Sequence, residues 1–127
     1  MNQRNMSIHR PLLIDFDKYT DGDPDFKNAL ISHLIDNVKE LQQSLPDMDS
    51  NTSINFIQVL HKIKTTVTML NDREFIQTLE EIKSSIISNH PFEFFKRKLK
   101  SFSRLCDQVI ESLVAESSNI TSRSNHS

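Results

Sequence analysis

Glycine is almost absent from this chain: Gly22 is the single one in 127 residues. Tight β-hairpins draw on glycine for their positive-φ positions, and loops that cradle nucleotide phosphates need several of them. The shortage argues against a turn-rich sheet protein and against ATP binding. Proline is sparse too, at Pro11, Pro24, Pro46 and Pro91, and tryptophan is missing, so long stretches run without a breaker. The lone Cys106 excludes an internal disulfide and any multi-cysteine metal site; on an apolar helical stripe it reads as a small hydrophobe in a reducing compartment. No Glu-x-x-His pairs of a di-iron bundle occur, so no metal site is expected. No apolar run approaches the ~18 residues of a membrane span, and Met1 to Arg10 lacks the apolar centre of a signal peptide. The expectation is a cytoplasmic protein with no membrane partner. A net charge of −2 gives no general pull toward nucleic acid, so no nucleic-acid partner is expected either.

What is present is helical periodicity. With 36% apolar and 25% charged residues, the chain suits one domain, expected to be monomeric. Leu12, Leu13, Phe16 and Tyr19 have the spacing of a short helix. Asp23-Pro24 then reads as an N-cap followed by proline in the first turn. The helix it opens carries Phe26, Leu30, Leu34, Val38, Leu41 and Leu45 on one face and ends at Pro46. Residues 53–70 predict a second helix, with Phe56, Val59, Leu60, Ile63, Val67 and Leu70 inward. Asn71 and Glu74 suggest a capping box for a third helix carrying Phe75, Leu79, Ile82 and Ile86. After Asn89-His90-Pro91 a fourth places Phe95, Leu99, Phe102, Cys106, Val109 and Leu113 inward. The fold class is therefore all-α: an antiparallel up-down-up-down four-helix bundle over residues 11–116 with a short N-terminal lid helix. Residues 1–10 are expected to form a flexible leader and 117–127, rich in Ser and Asn, a disordered tail.

One polar side chain stands out on the second helix. At ~100° per residue His61 falls about 150° from the middle of the apolar arc, so it points to water. Lys64, Thr65 and Thr68 follow at three, four and seven positions and share its face. A solvated helix surface is the plain reading of such a group; a reactive imidazole beside an ammonium is the sharper one. Ile57 and Ile54 lie on the same side, one and two turns earlier, as candidates for a partner surface. His33 and His90 read as structural. His9 and His126 lie near the chain ends. The basic run Lys96, Arg97, Lys98, Lys100 and Arg104 reads as a solvated helix face interrupted by core positions.

Two stretches resemble a known family, the histidine-containing phosphotransfer (HPt) domains. Ile14-Asp15-Phe16 through Thr20-Asp21-Gly22-Asp23-Pro24-Asp25-Phe26 is similar to the opening of bacterial members, and Leu60-His61-Lys62-Ile63-Lys64 to their apolar-His-x-apolar-Lys signature. The resemblance spans about residues 11 to 115. Where the family has glycine after the lysine, and commonly another near the following turn, this chain has Thr65 and Asn71. The resemblance implies a cytoplasmic phosphorelay carrier in two-component signal transduction. His61 would accept a phosphoryl group, Lys64 would stabilise its charge, and Ile54, Ile57, Thr65 and Thr68 would meet the partner. The partners implied are receiver domains of a hybrid sensor kinase and a response regulator. The chain would bind no cofactor, Mg²⁺ belonging to the receiver, and would not itself be an enzyme. Thr65 keeps open an alternative: a non-phosphorylatable HPt-like module that binds receivers or other signalling partners. A third reading, a helical scaffold dimerising through Ile31 and Ile35, also remains.

Overall fold

The computed structural model describes residues 10–48 and 50–126, with side chains described outside 50, 51 and 118–126. These residues form helices α1 Phe16–Thr20, α2 Pro24–Gln43, α3 Ser50–Lys62, α4 Lys64–Leu70, α5 Arg73–Ile87 and α6 Phe92–His126, with no strand among them. No helix of the described residues is long and apolar enough to cross a membrane.

The helix ends follow local chemistry. The Asp23 carboxylate accepts from the Asp25 and Phe26 N–H groups at 2.9 and 3.2 Å, and Pro24 takes the adjacent position where it forfeits no intrahelical bond. Gly22 supplies the turn before it at φ +76. Helix α1 is shorter than its spacing suggested, because the Asp15 side chain captures the Lys18 N–H and starts the helix there. Leu13 and Tyr19, expected inward, are exposed, whereas Ile14 and Phe16 are buried. Helix α5 is capped by Asp72, which accepts from the Phe75 N–H at 3.1 Å. The cap expected at Asn71 is therefore displaced by one residue: Asn71 closes α4 instead, in the left-handed conformation at φ +52. Asn89 does the same for α5, with the His90 and Asn89 N–H groups reaching Ser85 and Ile86 carbonyls at 3.0 and 2.9 Å. That pairing is the Schellman arrangement, with asparagine in the usual glycine place.

The helix expected over 53–70 is interrupted at Ile63, whose backbone sits at φ −102, ψ 21. Bonds from Ile63 to Val59 at 3.0 Å and from Val67 to Ile63 at 3.2 Å still bridge the two pieces. The β-branched run Thr65-Thr66-Val67-Thr68 weakens helix here, and the Thr68 hydroxyl donates back to the Lys64 carbonyl at 3.1 Å, a bond that bends helices.

One apolar core joins the helices, with Leu34, Val38, Leu41, Phe56, Phe75, Ile82, Phe102 and Leu113 fully buried. Phe75 of α5 and Phe102 of α6 meet at 4.8 Å between ring centres. Phe26 was expected on the α2 stripe but is 56% exposed, since steps of four drift it about 90° from the centre of that face. Ile31 takes the inward place and is buried. Ile35 is half-buried against the same core, so the face proposed above for dimerisation is occupied by the chain's own interior.

Side-chain bonds relate the long helices. Lys27 meets Glu116 at 2.7 Å while Gln42, later in α2, meets Ser103 and Asp107, earlier in α6. Lys98 of α6 pairs with Glu81 of α5 at 3.2 Å. Asn37 and Glu40 of α2 meet Thr66 and Lys62 respectively.

Side-chain bonds also hold the described residues nearest the two chain ends. Arg10 is fastened rather than free: its N–H donates to the Ser112 hydroxyl at 2.8 Å, and that hydroxyl donates to the Arg10 carbonyl at 2.7 Å. Residues 1–9 of the expected leader lie outside the described residues. Beyond residue 116 the backbone stays helical to His126, with no glycine or proline to stop it, and the Ser117 hydroxyl donates to Asn28 at 2.7 Å. Ser127 is outside the described residues.

Candidate functional site

His61 is exposed near the end of α3, and Lys64 is exposed as the first residue of α4. Both line a groove of about 270 Å³ whose apolar wall includes Ile57, Leu60, Val67, Ile76 and Leu79. Its far side is α5, which contributes Glu80 and Lys83. The groove thus carries an imidazole, two ammonium groups and one carboxylate over an apolar floor. Thr68 lines it too, while Thr65 is exposed outside the lining set.

The position of His61 has a simple cause. Phe56 and Val59 of α3 and Ile63 just beyond it are buried, which fixes the rotation of α3 and leaves His61 on the outer face. Lys62, one position on, turns the other way and pairs with Glu40 of α2 at 2.9 Å. Behind α4, Thr66 is buried and its hydroxyl accepts from the Asn37 side-chain amide at 2.6 Å. That amide also lies 3.2 Å from His33 Nε2. His33 is exposed on α2, and its described hydrogen-bond contact is this one with Asn37 of the same helix.

Of the expected docking residues, Ile54 and Ile57 lie along a second, larger groove of about 500 Å³. It is formed by Ile54 and Ile57 of α3, Ile86 of α5, Phe92 and Phe95 of α6, and Met48 and His90 in the connections. Ile54 is 59% exposed. Ile57 lines both grooves and joins them. His90 meets Phe94 in a tilted ring contact, 4.2 Å between ring centres, at this end of the molecule.

Other reactive groups are withdrawn from chemistry. Cys106 is buried, and desolvation with help from Asp107 pushes its thiol far above the ordinary range, so no thiolate forms near neutral pH. In the basic run, Lys96 pairs with Glu93 and Lys98 with Glu81. Among the described residues no group of three or more His, Cys, Asp or Glu side chains could hold a metal ion.

Sequence reasoning brought His61, Lys64, Thr68 and Ile57 to one place but missed Glu80 and Lys83. They sit on the outer rim of α5 beside inward Leu79 and Ile82, positions that periodicity marks only as polar. It also missed Arg10, whose Nε and Nη2 donate to Asp72 at 2.9 Å each and whose Nη1 lies 3.0 Å from Glu74.

No family model, no curated protein and no solved structure matches this chain.

Proposed function

We propose that the protein is a phosphorelay carrier of the HPt type, accepting a phosphoryl group on His61 from a receiver-domain aspartyl phosphate and passing it to another receiver aspartate. The observation that carries this reading is the exposed His61 ring bordering a groove with Lys64 beside it. A neutral imidazole keeps a lone pair on one ring nitrogen. That nitrogen attacks phosphorus, the N–P bond forms as the P–O bond to the aspartyl carboxyl breaks, and the electron pair leaves with the aspartate carboxylate. Lys64 attracts the dianionic phosphoryl group that results. Such transfer depends on positioning and charge neutralisation. The Mg²⁺ belongs to the receiver, and the chain is a carrier rather than an enzyme.

The fold reading that accompanies this function is an up-down-up-down four-helix bundle made by α2, α3 with α4, α5 and α6, with α1 as a lid. Its support is the order of the side-chain pairs: Lys27 with Glu116 and Gln42 with Ser103 run in opposite directions along α2 and α6. The receivers of a hybrid sensor kinase and a response regulator would dock over Ile54 and Ile57, with Thr65 and Thr68 at the edge. The setting is cytoplasmic and the carrier monomeric.

The test is transfer from a phosphorylated receiver to the purified protein, read as acid-labile label. Label on His61, absent from His61→Gln, is the expected result. If no receiver or hybrid kinase of the source organism labels the chain, the carrier reading fails. One observation favours a second reading, a receiver-binding module without transfer: exposed Thr65 stands where the family has glycine, one turn from His61. Under that reading His61→Gln leaves receiver affinity unchanged and the wild-type protein takes no label.

A further inference from the structure

The groove beside His61 holds an ammonium group with no counter-charge. Lys83 is half-buried on α5 and lines the groove, yet it forms no ion pair or side-chain hydrogen bond among the described residues. The other basic side chains that are less than fully exposed are matched: Arg10 by Asp72 and Glu74, Lys27 by Glu116. No carboxylate of the described residues answers the charge of this half-buried side chain. The stem's packing along the apolar wall explains why the methylenes lie there. It does not explain why the head remains unpaired when Glu80, one turn earlier on the same helix and lining the same groove, is not drawn into contact. With the ammonium groups of Lys64 and Lys83 against the one carboxylate of Glu80, lysine outnumbers carboxylate in the groove.

We infer that Lys83 is a second cation for the phosphoryl group on His61, closing on it from α5 while Lys64 approaches from α4. The inference rests on the phosphocarrier reading and adds to it a contact from another helix. A phosphoryl group on the ring brings nearly two negative charges and three acceptor oxygens. One lysine cannot satisfy these, whereas two lysines on opposite walls meet them from both sides. Glu80 tempers the site, so that the empty groove does not hold free anions tightly. The arrangement stabilises the phosphorylated state relative to the empty one and sets how far the transfer equilibrium lies toward His61. Chemically, Lys83 forms no bond. It acts on the product of the transfer through charge and hydrogen bonding alone.

The experiment labels His61 with phosphoramidate, a small donor whose P–N bond breaks as ammonia leaves, and follows the phosphohistidine by phosphorus NMR across pH. In Lys83→Gln the midpoint for protonation of the phosphoryl oxygens is expected to rise by about 0.3 to 0.7 pH units. The level of phosphorylated His61 at equilibrium with a receiver is expected to fall about 2- to 5-fold, as for a partly screened ion pair. Lys83→Arg should restore both. Thermal unfolding of each variant checks that the fold persists, and the titration midpoint is a readout that a merely structural lysine would not move. An unchanged midpoint in Lys83→Gln, with Lys64→Gln displacing it, overturns the inference and leaves the carrier reading intact. Failure of His61 to take label from phosphoramidate or any receiver removes both. Inorganic phosphate added to unlabelled protein should leave the Lys83 signals in place; their displacement would mark a site for the free anion and overturn the assignment to phosphohistidine.

Discussion

Two charged regions of this molecule are built on opposite terms. The Arg10 charge is answered by the fold: the guanidinium makes two bonds to Asp72, reaches Glu74 at 3.0 Å and Gln108 at 3.3 Å, and Asp72 also caps α5. Around His61 the charges stand apart, with Lys64 and Lys83 free of ion pairs among the described residues. The first region ties the start of the chain to α5 and α6, and its bonds are part of the fold. The second lies over an already complete apolar core, so its charges are not required for folding. Charge that a fold needs is paired, and charge left unpaired over a finished core is available to something outside the chain.

The contrast breaks most sharply by exchanging lesions. His61→Gln should abolish acid-labile labelling altogether while changing unfolding free energy by less than about 0.5 kcal/mol, since the ring is exposed. Arg10→Ala should do the reverse. It leaves Asp72, with a side chain only 14% exposed, without its cation, and the expected cost is about 2 to 3 kcal/mol, read as a lower urea midpoint. Transfer to His61, measured below that midpoint, should be unchanged. A loss of labelling in Arg10→Ala with the fold intact would show that the two regions are coupled.

Acid sharpens the same contrast. Burial of Asp72 would raise its carboxyl pKa, but the Arg10 hydrogen bonds and attraction, with the N–H groups of Phe75 and Glu74, outweigh this and hold it below the ordinary carboxylate value. A carboxyl depressed in the folded state stabilises fully above its unfolded pKa and loses that contribution as pH falls through the folded one. Wild-type stability should therefore decline more steeply below about pH 4 than that of Asp72→Asn, measured by urea unfolding at stepped pH. Because asparagine is itself a good N-cap, Asp72→Asn keeps α5 and isolates the ionic part. Equal slopes in the two proteins would assign the acid sensitivity to other carboxylates.

How much of this was legible follows from period and reach. The inward residues of α5 and α6 were readable because Phe75, Leu79, Ile82, Phe95, Leu99, Phe102 and Val109 repeat at helical steps and all are buried. The same periodicity turned His61 outward. Three features escaped it. The break at Ile63 depends on the threonine-rich stretch that follows, which leaves the apolar spacing intact. Asp72 took the cap from Asn71 because its carboxylate serves the Phe75 N–H and Arg10 at once, and Arg10 lies 62 residues away in sequence. Glu80 and Lys83 are ordinary polar positions on α5 until α3 and α4 are laid against it. Relations within one helix are written locally; relations between helices are not.

Smaller effects test whether placement matters in the groove. Thr65→Gly removes an exposed β-branched side chain one turn from His61 and should speed receiver transfer if crowding limits docking. Its expected cost is about 0.2 to 0.5 kcal/mol, the difference between glycine and threonine in a helix. A stability loss with no gain in rate would clear Thr65 of the limitation and leave it as a surface residue.

The smallest change is expected at Lys62, the direct neighbour of His61 in sequence. Its ammonium lies on the α2 side, 2.9 Å from Glu40, with side chains 65% and 40% exposed. Such a pair contributes about 0 to 0.5 kcal/mol, so Lys62→Ala should barely move the urea midpoint. It should also leave the phosphohistidine titration where it was, because Glu40 already answers this charge and Lys62 does not line the groove. If Lys62→Ala displaced that titration as far as Lys64→Gln, net positive charge near α3 would be the working quantity and the separation of paired from unpaired cations would carry no function. An effect confined to Lys64 and Lys83 makes orientation decisive, since Lys62 is nearer to His61 along the chain than either.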